Sequence, residues 1–232
     1  YDEAFDLCMQ VCEAEGWYSR NTGVNPFTTE GKKTVALEIA EQLKWNVPDV
    51  VVVSVGDGSI ISGTHKGFAD LYRLGWIDKI PRLIGVQAEG SSVLAQAWAN
   101  DLSAEQMVAG DADTIADSIS SGFPRDRAKA LRAVRETNGA YVMVSDAEIV
   151  SVIPQFAQLT GVFAEPAAVA TFAGAQRAVG SGVIHADESV CLIITGNGLK
   201  DVKRAQESVE QGFRVQPDID SVRAVLAQVR KK

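Results

Sequence analysis

The stretch Ser54-Val55-Gly56-Asp57-Gly58-Ser59-Ile60-Ile61-Ser62-Gly63 follows a β-branched run and opens a helical pattern. Glycines at such a junction let backbone N–H groups turn toward an anion, and the N-terminus of the following helix adds a favourable field. Ser59 and Ser62 could add hydroxyl donors. The glycine spacing is neither the dinucleotide fingerprint nor a Walker loop, because no Gly-Lys-Ser/Thr follows. A tight strand–helix turn with no ligand fits the same residues. Asp57 would repel a phosphate, so its carboxylate is expected to point away or to cap the helix. A second segment, Ile193-Ile194-Thr195-Gly196-Asn197-Gly198-Leu199-Lys200-Asp201, puts Thr195 just past a strand, where ligands of parallel sheets sit. Its hydroxyl can bond a heteroaromatic nitrogen, although the segment taken alone favours a capped strand–helix turn. Glu165 precedes Pro166 in Gly161-Val162-Phe163-Ala164-Glu165-Pro166, a pattern that favours an acid complementing a helix dipole over one facing a site. Asn25-Pro26-Phe27-Thr28-Thr29-Glu30-Gly31-Lys32-Lys33 reads locally as a turn plus cap. His65 and His185 stand alone, with no metal or nucleophile constellation around them. Cys8 and Cys12 are one helical turn apart, and no third or fourth ligand is spaced to join them. With Cys191 they read as buried structural thiols suited to a reducing cytosol.

These residues need elements to hold them. Residues 3–15 place Ala4, Cys8, Val11 and Cys12 on one helical face, and Gly16 stops that helix. Trp17-Tyr18-Ser19 is a short strand candidate and Val24–Phe27 a turn. Thr28 or Thr29 would cap a helix carrying Val35, Ala36, Ile39, Ala40 and Leu43. The continuous run Val50–Val55 predicts a strand covered on both faces, as in a parallel sheet. Further strands are expected at Leu83–Val86, Tyr141–Val144 and Val190–Ile194. Helices are expected from the Gly58 region to Leu74, near Ser92–Ala99, over Arg127–Thr137, after a cap at Asp146, and over Pro166–Val179. Residues 101–127 are polar, Asp-rich and less regular. Such alternation builds an α/β fold, a doubly wound parallel sheet with helices on both faces.

Composition bounds the rest. With 46% hydrophobic and 22% charged residues, a chain of 232 residues has a globular balance. No apolar run approaches the length that spans a membrane. The net charge of −8, with basic residues gathered only in the Arg230-Lys231-Lys232 tail, argues against nucleic-acid binding. The acidic, helix-like start Tyr1-Asp2-Glu3-Ala4 lacks the features of a signal peptide. It does not begin with Met, so more chain is expected upstream.

Taken in order, Asn25-Pro26 with Glu30-Gly31-Lys32-Lys33-Thr34, the strand running into Gly56-Asp57-Gly58, Val142-Met143-Val144-Ser145-Asp146-Ala147-Glu148, Gly161–Pro166 and Thr195–Asp201 resemble threonine synthase and its fold-type-II, tryptophan-synthase-β-like relatives that use pyridoxal 5′-phosphate (PLP). The resemblance covers about Tyr1 to Asp201. It implies a PLP-dependent lyase converting O-phosphohomoserine and water to threonine and phosphate, cytoplasmic and homodimeric. It assigns the cofactor phosphate to Gly56, Asp57, Gly58, Ser59 and Ile60, the pyridine nitrogen to Thr195, and substrate contacts to Asn25 and Thr28. Residues 1–22 would be the end of a smaller domain and 23–232 the large one with a C-terminal helical extension, with a hinge at Gly23–Pro26. Two departures matter. The family's Schiff-base lysine lies in a segment absent here and is expected upstream of Tyr1; Lys32, Lys33, Lys66 and Lys200 do not match it. Thr28 stands where threonine synthases commonly carry an arginine for the substrate phosphate. The alternatives are therefore a serine/threonine dehydratase or a cysteate-synthase-like β-replacement enzyme, and, from a different class, a non-catalytic ligand-binding domain.

Overall fold

Four consecutive valines and a serine form the first strand, β1 (Val50–Ser54), every residue of it buried. In the computed structural model, which describes residues 2–210 and 212–229, β1 lies inside a parallel sheet. Its neighbours are β2 (Arg82–Ala88) on one side and β4 (Val190–Leu192) on the other, with β3 (Ala140–Val144) beyond β2. Alternate side chains of β1 feed two cores. Val50 and Val52 pack with helices α7 (Asp146–Thr160) and α8 (Pro166–Gly180) on one face. Val51 and Val53 pack with α3 (Thr34–Gln42), α4 (Ser59–Arg73), α5 (Val93–Ala99) and α6 (Arg127–Glu136) on the other. A strand buried on both faces has no use for polar alternation, which is why its sequence shows none. The expected doubly wound α/β sheet is the observed one.

The order β3-β2-β1-β4 sets the location of the site. The chain leaves β1 through α4 on one face, and it returns to β4 from α8 on the other. Adjacent strands whose connections diverge to opposite faces leave a crevice beyond their carboxyl ends.

Several local expectations are corrected. Trp17–Ser19 is not a strand: no neighbour offers it a ladder, and Trp17 and Tyr18 are 64% and 73% exposed. The Asn25 turn is itself a helix start. The Asn25 side chain accepts the Phe27 N–H with Pro26 at the first position, opening α2 (Pro26–Lys32) before α3. Ser145, not Asp146, caps α7, in a reciprocal capping box with Glu148. The Asp146 carboxylate accepts from the Thr114 hydroxyl at 2.6 Å and the Ile115 N–H at 3.1 Å. Ser145→Ala is expected to cost about 1 kcal/mol of stability, read as a lower urea midpoint at unchanged slope; a midpoint equal to wild type would show that the box contributes nothing. None of the three thiols is fully buried, although Cys191 packs against the core. α1 (Asp2–Glu15) buries no side chain, so Cys8 is exposed, while Cys12 and Cys191 are half-buried. An apolar face alone does not bury a helix; something must pack on it. Beyond β4, α9 (Val202–Glu207) and α10 (Ile219–Val229) likewise bury no residue. Tyr1 and the basic tail Arg230-Lys231-Lys232 lie outside the described residues. No helix among the described residues is long and apolar enough to cross a membrane.

Candidate active site

A cavity of about 280 Å³ occupies the crevice, near the lower end of the roughly 300–1,000 Å³ typical of ligand pockets. Its floor is Ser54 to Ile61, the end of β1 and the start of α4. Gly58 has φ 89°, in the left-handed region, and a Cβ there would lie 2.8 Å from the Ala130 Cβ on α6. A Cβ on Gly56 would lie 2.8 Å from the Ile119 Cα. Gly58 is therefore required by its left-handed backbone and its close approach to α6, and Gly56 by close approach alone. No side chain caps α4, so its first N–H groups, which have no partner inside the helix, are left for a ligand. The Ser54 hydroxyl is buried on the same wall without a hydrogen-bond partner among the described residues. Ser62 is not available: its hydroxyl donates to the Gly58 carbonyl at 2.6 Å.

The Asp57 carboxylate is taken up by neighbours within the fold: it accepts from the Thr22 hydroxyl and, at 2.6 Å, from the Arg125 N–H. It is not a helix cap. The underside of the loop is tied down by Asp126, whose N–H donates to the Asp57 carbonyl at 3.0 Å. The fully buried Asp126 carboxylate accepts from the Thr29 hydroxyl at 3.0 Å and pairs with Lys129.

The opposite wall comes from the other motifs. An antiparallel bridge joins Ala164 to Asn197, with the Glu165 N–H donating to the Gly196 carbonyl at 3.0 Å. A Cβ on Gly196 would fall 1.9 Å from the Glu165 Oε1, and one on Gly198 would fall 2.3 Å from the Phe163 ring. Both glycines are there for close approach, and the approach sets Thr195 and Glu165 on the cavity wall. Glu165 begins α8 without capping it, and its carboxylate is 6% exposed. Lys200 pairs with it at 3.0 Å, and Ser118, from the irregular loop, donates to it at 3.3 Å. The reading of Glu165 as a dipole-complementing acid gives way to one facing the site.

The predicted residues Gly56, Asp57, Gly58, Ser59, Ile60 and Thr195 line this single cavity. Asn25 and Thr28 do not. The buried Asn25 caps α2 and donates to the Ser19 carbonyl at 2.9 Å, and the Thr28 hydroxyl donates to the Arg20 carbonyl at 3.1 Å. Of the lysines weighed above, Lys33 and Lys66 pair with Glu30 and Asp70 on the outer side of α2 and α4, whereas Lys32 and Lys200 reach the cavity. Thr22, Lys32, Ser118 and Lys200 escaped sequence reasoning. For Lys32 a signal existed: Gly63 and Gly67, one turn apart on α4, mark a face that another backbone approaches. His65 is half-buried beside Glu136 at 3.4 Å, and His185 is exposed on a turn; neither lines the cavity.

Residues 1–196 match the family of pyridoxal-phosphate dependent enzymes. The chain belongs to that family. It is 35% identical to the threonine synthase of Methanocaldococcus jannaschii over 99% of its length and 37% identical to that of Methanosarcina acetivorans over 97%. The chain spans about half the length of these curated relatives, 56% and 55%. Among solved structures it resembles diaminopropionate ammonia lyase from Escherichia coli, with a TM-score of 0.69 at 17% identity over 90% of the chain and 56% of that structure. It also resembles a processed threonine deaminase from Solanum lycopersicum, with a TM-score of 0.68 at 19% identity over 87% of the chain and 54% of that structure. These likenesses agree with the fold-type-II sheet described above. The family's cofactor, PLP, fits the residues present. An unpartnered buried hydroxyl and an uncapped helix start suit a phosphate, and a neutral hydroxyl, Thr195, stands across the same cavity for a ring nitrogen.

Proposed function

We propose that the full-length protein is a threonine-synthase-like lyase that takes O-phosphohomoserine and water to threonine and phosphate. The observation that carries this reading is the similarity to threonine synthases over nearly the whole chain, in which the matching segments line one switch-point cavity. Gly56, Gly58, Ser59 and Ile60 hold the cofactor phosphate by backbone N–H groups, with Asp57 contributing main chain only. Bound there, PLP supplies an electron sink for charge developing on the substrate. Thr195 bonds the pyridine nitrogen without a formal charge, which suits elimination and replacement. Glu165 and Lys200 hold each other beside Thr195, and this pairing keeps the carboxylate off the ring. Asn25 and Thr28 act by setting the start of α2. The same reading makes residues 1–22 the end of a smaller domain, supported by the absence of buried residues in α1, and makes the protein a cytoplasmic homodimer, open to a mass measurement in solution.

Phosphate release and threonine formation from O-phosphohomoserine by the full-length protein test the activity. Bound PLP without turnover would sink the substrate and spare the cofactor. Conversion of serine or threonine to keto acids would establish the dehydratase alternative, which the local use of the Thr28 hydroxyl favours. The similarity to threonine synthases over nearly the whole chain weighs against it.

Thr195→Ala removes the partner of the ring nitrogen, and a lost bond of this kind costs about 1–3 kcal/mol. Cofactor titration of the full-length variant should show weaker PLP binding and an altered absorbance band, with Thr195→Ser intermediate. Thr195→Asp should protonate the nitrogen more fully and divert products toward transamination. Wild-type affinity and spectrum in the alanine variant would reduce Thr195 to a turn residue.

A further inference from the structure

Lys32 makes none of the ion pairs that occupy Lys33, Lys66 and Lys129 among the described residues. Its ammonium donates to the Ser59 hydroxyl at 2.6 Å, at the first residue of α4 and on the cavity wall. The backbone puts it there. A Cβ on Gly63 would lie 2.6 Å from the Lys32 Cβ, and one on Gly67 would lie 2.6 Å from the Lys33 carbonyl oxygen. The end of α2 and the start of α3 therefore lie on a glycine face of α4, with Lys32, the last residue of α2, beside the N-terminus of α4. Burial pushes the Lys32 ammonium below the ordinary lysine value, against the pull of Asp126 and Asp57. A partly desolvated cation aimed at an anion cradle is short of an anion.

We propose that Lys32 is the cationic ligand of the cofactor phosphate, acting with the Ser59 hydroxyl and the N–H groups at the start of α4. This rests on the assignment of PLP to the cavity. The hydrogen bond settles how Ser59 takes part: its oxygen accepts from Lys32, so its own hydrogen is free to donate to a phosphate oxygen. The charge balance calls for such a group. A helix N-terminus offers only about half an elementary charge, and the loop carries the negative Asp57 alongside. One ammonium offsets that carboxylate and leaves the dianion a net positive setting.

The test uses the full-length protein stripped of cofactor and titrated with PLP and, separately, with pyridoxal, which lacks the phosphate. Lys32→Met keeps the aliphatic stem and removes the charge. It should weaken PLP binding about tenfold to a hundredfold, the range for a hydrogen bond to a charged group, and leave pyridoxal binding unchanged. Lys32→Arg should recover part of the loss. The cofactor-free variant should melt no lower than wild type, since no ion pair is removed. Equal PLP affinity in Lys32→Met and wild type overturns the proposal, as does an equal loss for PLP and pyridoxal, which would mean that Lys32 shapes the loop instead of binding phosphate. Unchanged PLP binding with weakened O-phosphohomoserine binding overturns it too and moves the lysine to the substrate. A wild-type protein that binds no PLP would show a different failure, that of the cofactor assignment itself.

Discussion

Gly58→Val in the full-length protein is expected to abolish measurable PLP binding and to destabilise the fold by about 2–5 kcal/mol. The backbone contribution comes first: Gly58 sits at φ 89°, and a β-branched residue held in the left-handed region costs about 1–2 kcal/mol. The packing contribution adds to it, because even the first carbon of the new side chain would lie 2.8 Å from Ala130 on the well-packed face of α6, and overpacking of this kind costs about 1–3 kcal/mol. Relief can come only by moving the loop or α6, and either movement redirects the N–H groups at the start of α4. Stability and cofactor affinity should therefore fall together, measured by urea denaturation of the cofactor-free protein and by PLP titration. Gly58→Ala should lie between wild type and valine on both scales. Near-wild-type PLP affinity in a destabilised valine variant would mean that the loop does not hold the cofactor.

Asp126→Ala carries the second large expected effect. The carboxylate, with no exposed surface, binds Thr29 of α2 and Lys129 of α6. Removing one partner of a buried pair costs about 3–5 kcal/mol when the other charge is trapped. Lys129 is 45% exposed and can return to water, so the expected cost falls below that range, at about 2–3 kcal/mol. Asp126→Asn retains an acceptor for the Thr29 hydroxyl and should cost about 1 kcal/mol. Because Thr29 and Lys32 share α2, the alanine variant should also bind PLP less tightly, whereas the Lys32 variant leaves stability intact. An Asp126→Ala protein that unfolds at the wild-type urea concentration would remove the carboxylate from this supporting role.

Sequence alone was enough to show the sheet, the order of its elements and two of the cavity's walls. Val50–Val53 announced a strand buried on both faces because nothing in the run is polar. Gly56 and Gly58 announced a tight strand–helix junction, because Gly58 takes a left-handed conformation and Gly56 lies against the Ile119 backbone. Thr195 could be placed at a strand's carboxyl end because the strand before it is a plain apolar run. These are properties of neighbours along the chain, and the chain records them locally.

Tertiary structure alone decided which way the side chains point and which distant residues meet. Asp57 faces Thr22 and the Arg125 N–H, partners 35 and 68 residues away that no spacing rule relates to it. Glu165 enters the cavity because Gly196 leaves room for its carboxylate and Lys200 meets it there; the dipeptide Glu165-Pro166 by itself suits a dipole-complementing acid equally well. Lys32 reaches Ser59 only because Gly63 lets two helix backbones touch. The cysteines of α1 mark the same boundary. Their spacing defines an apolar face, but burial depends on what packs opposite, and that is a property of the assembled fold.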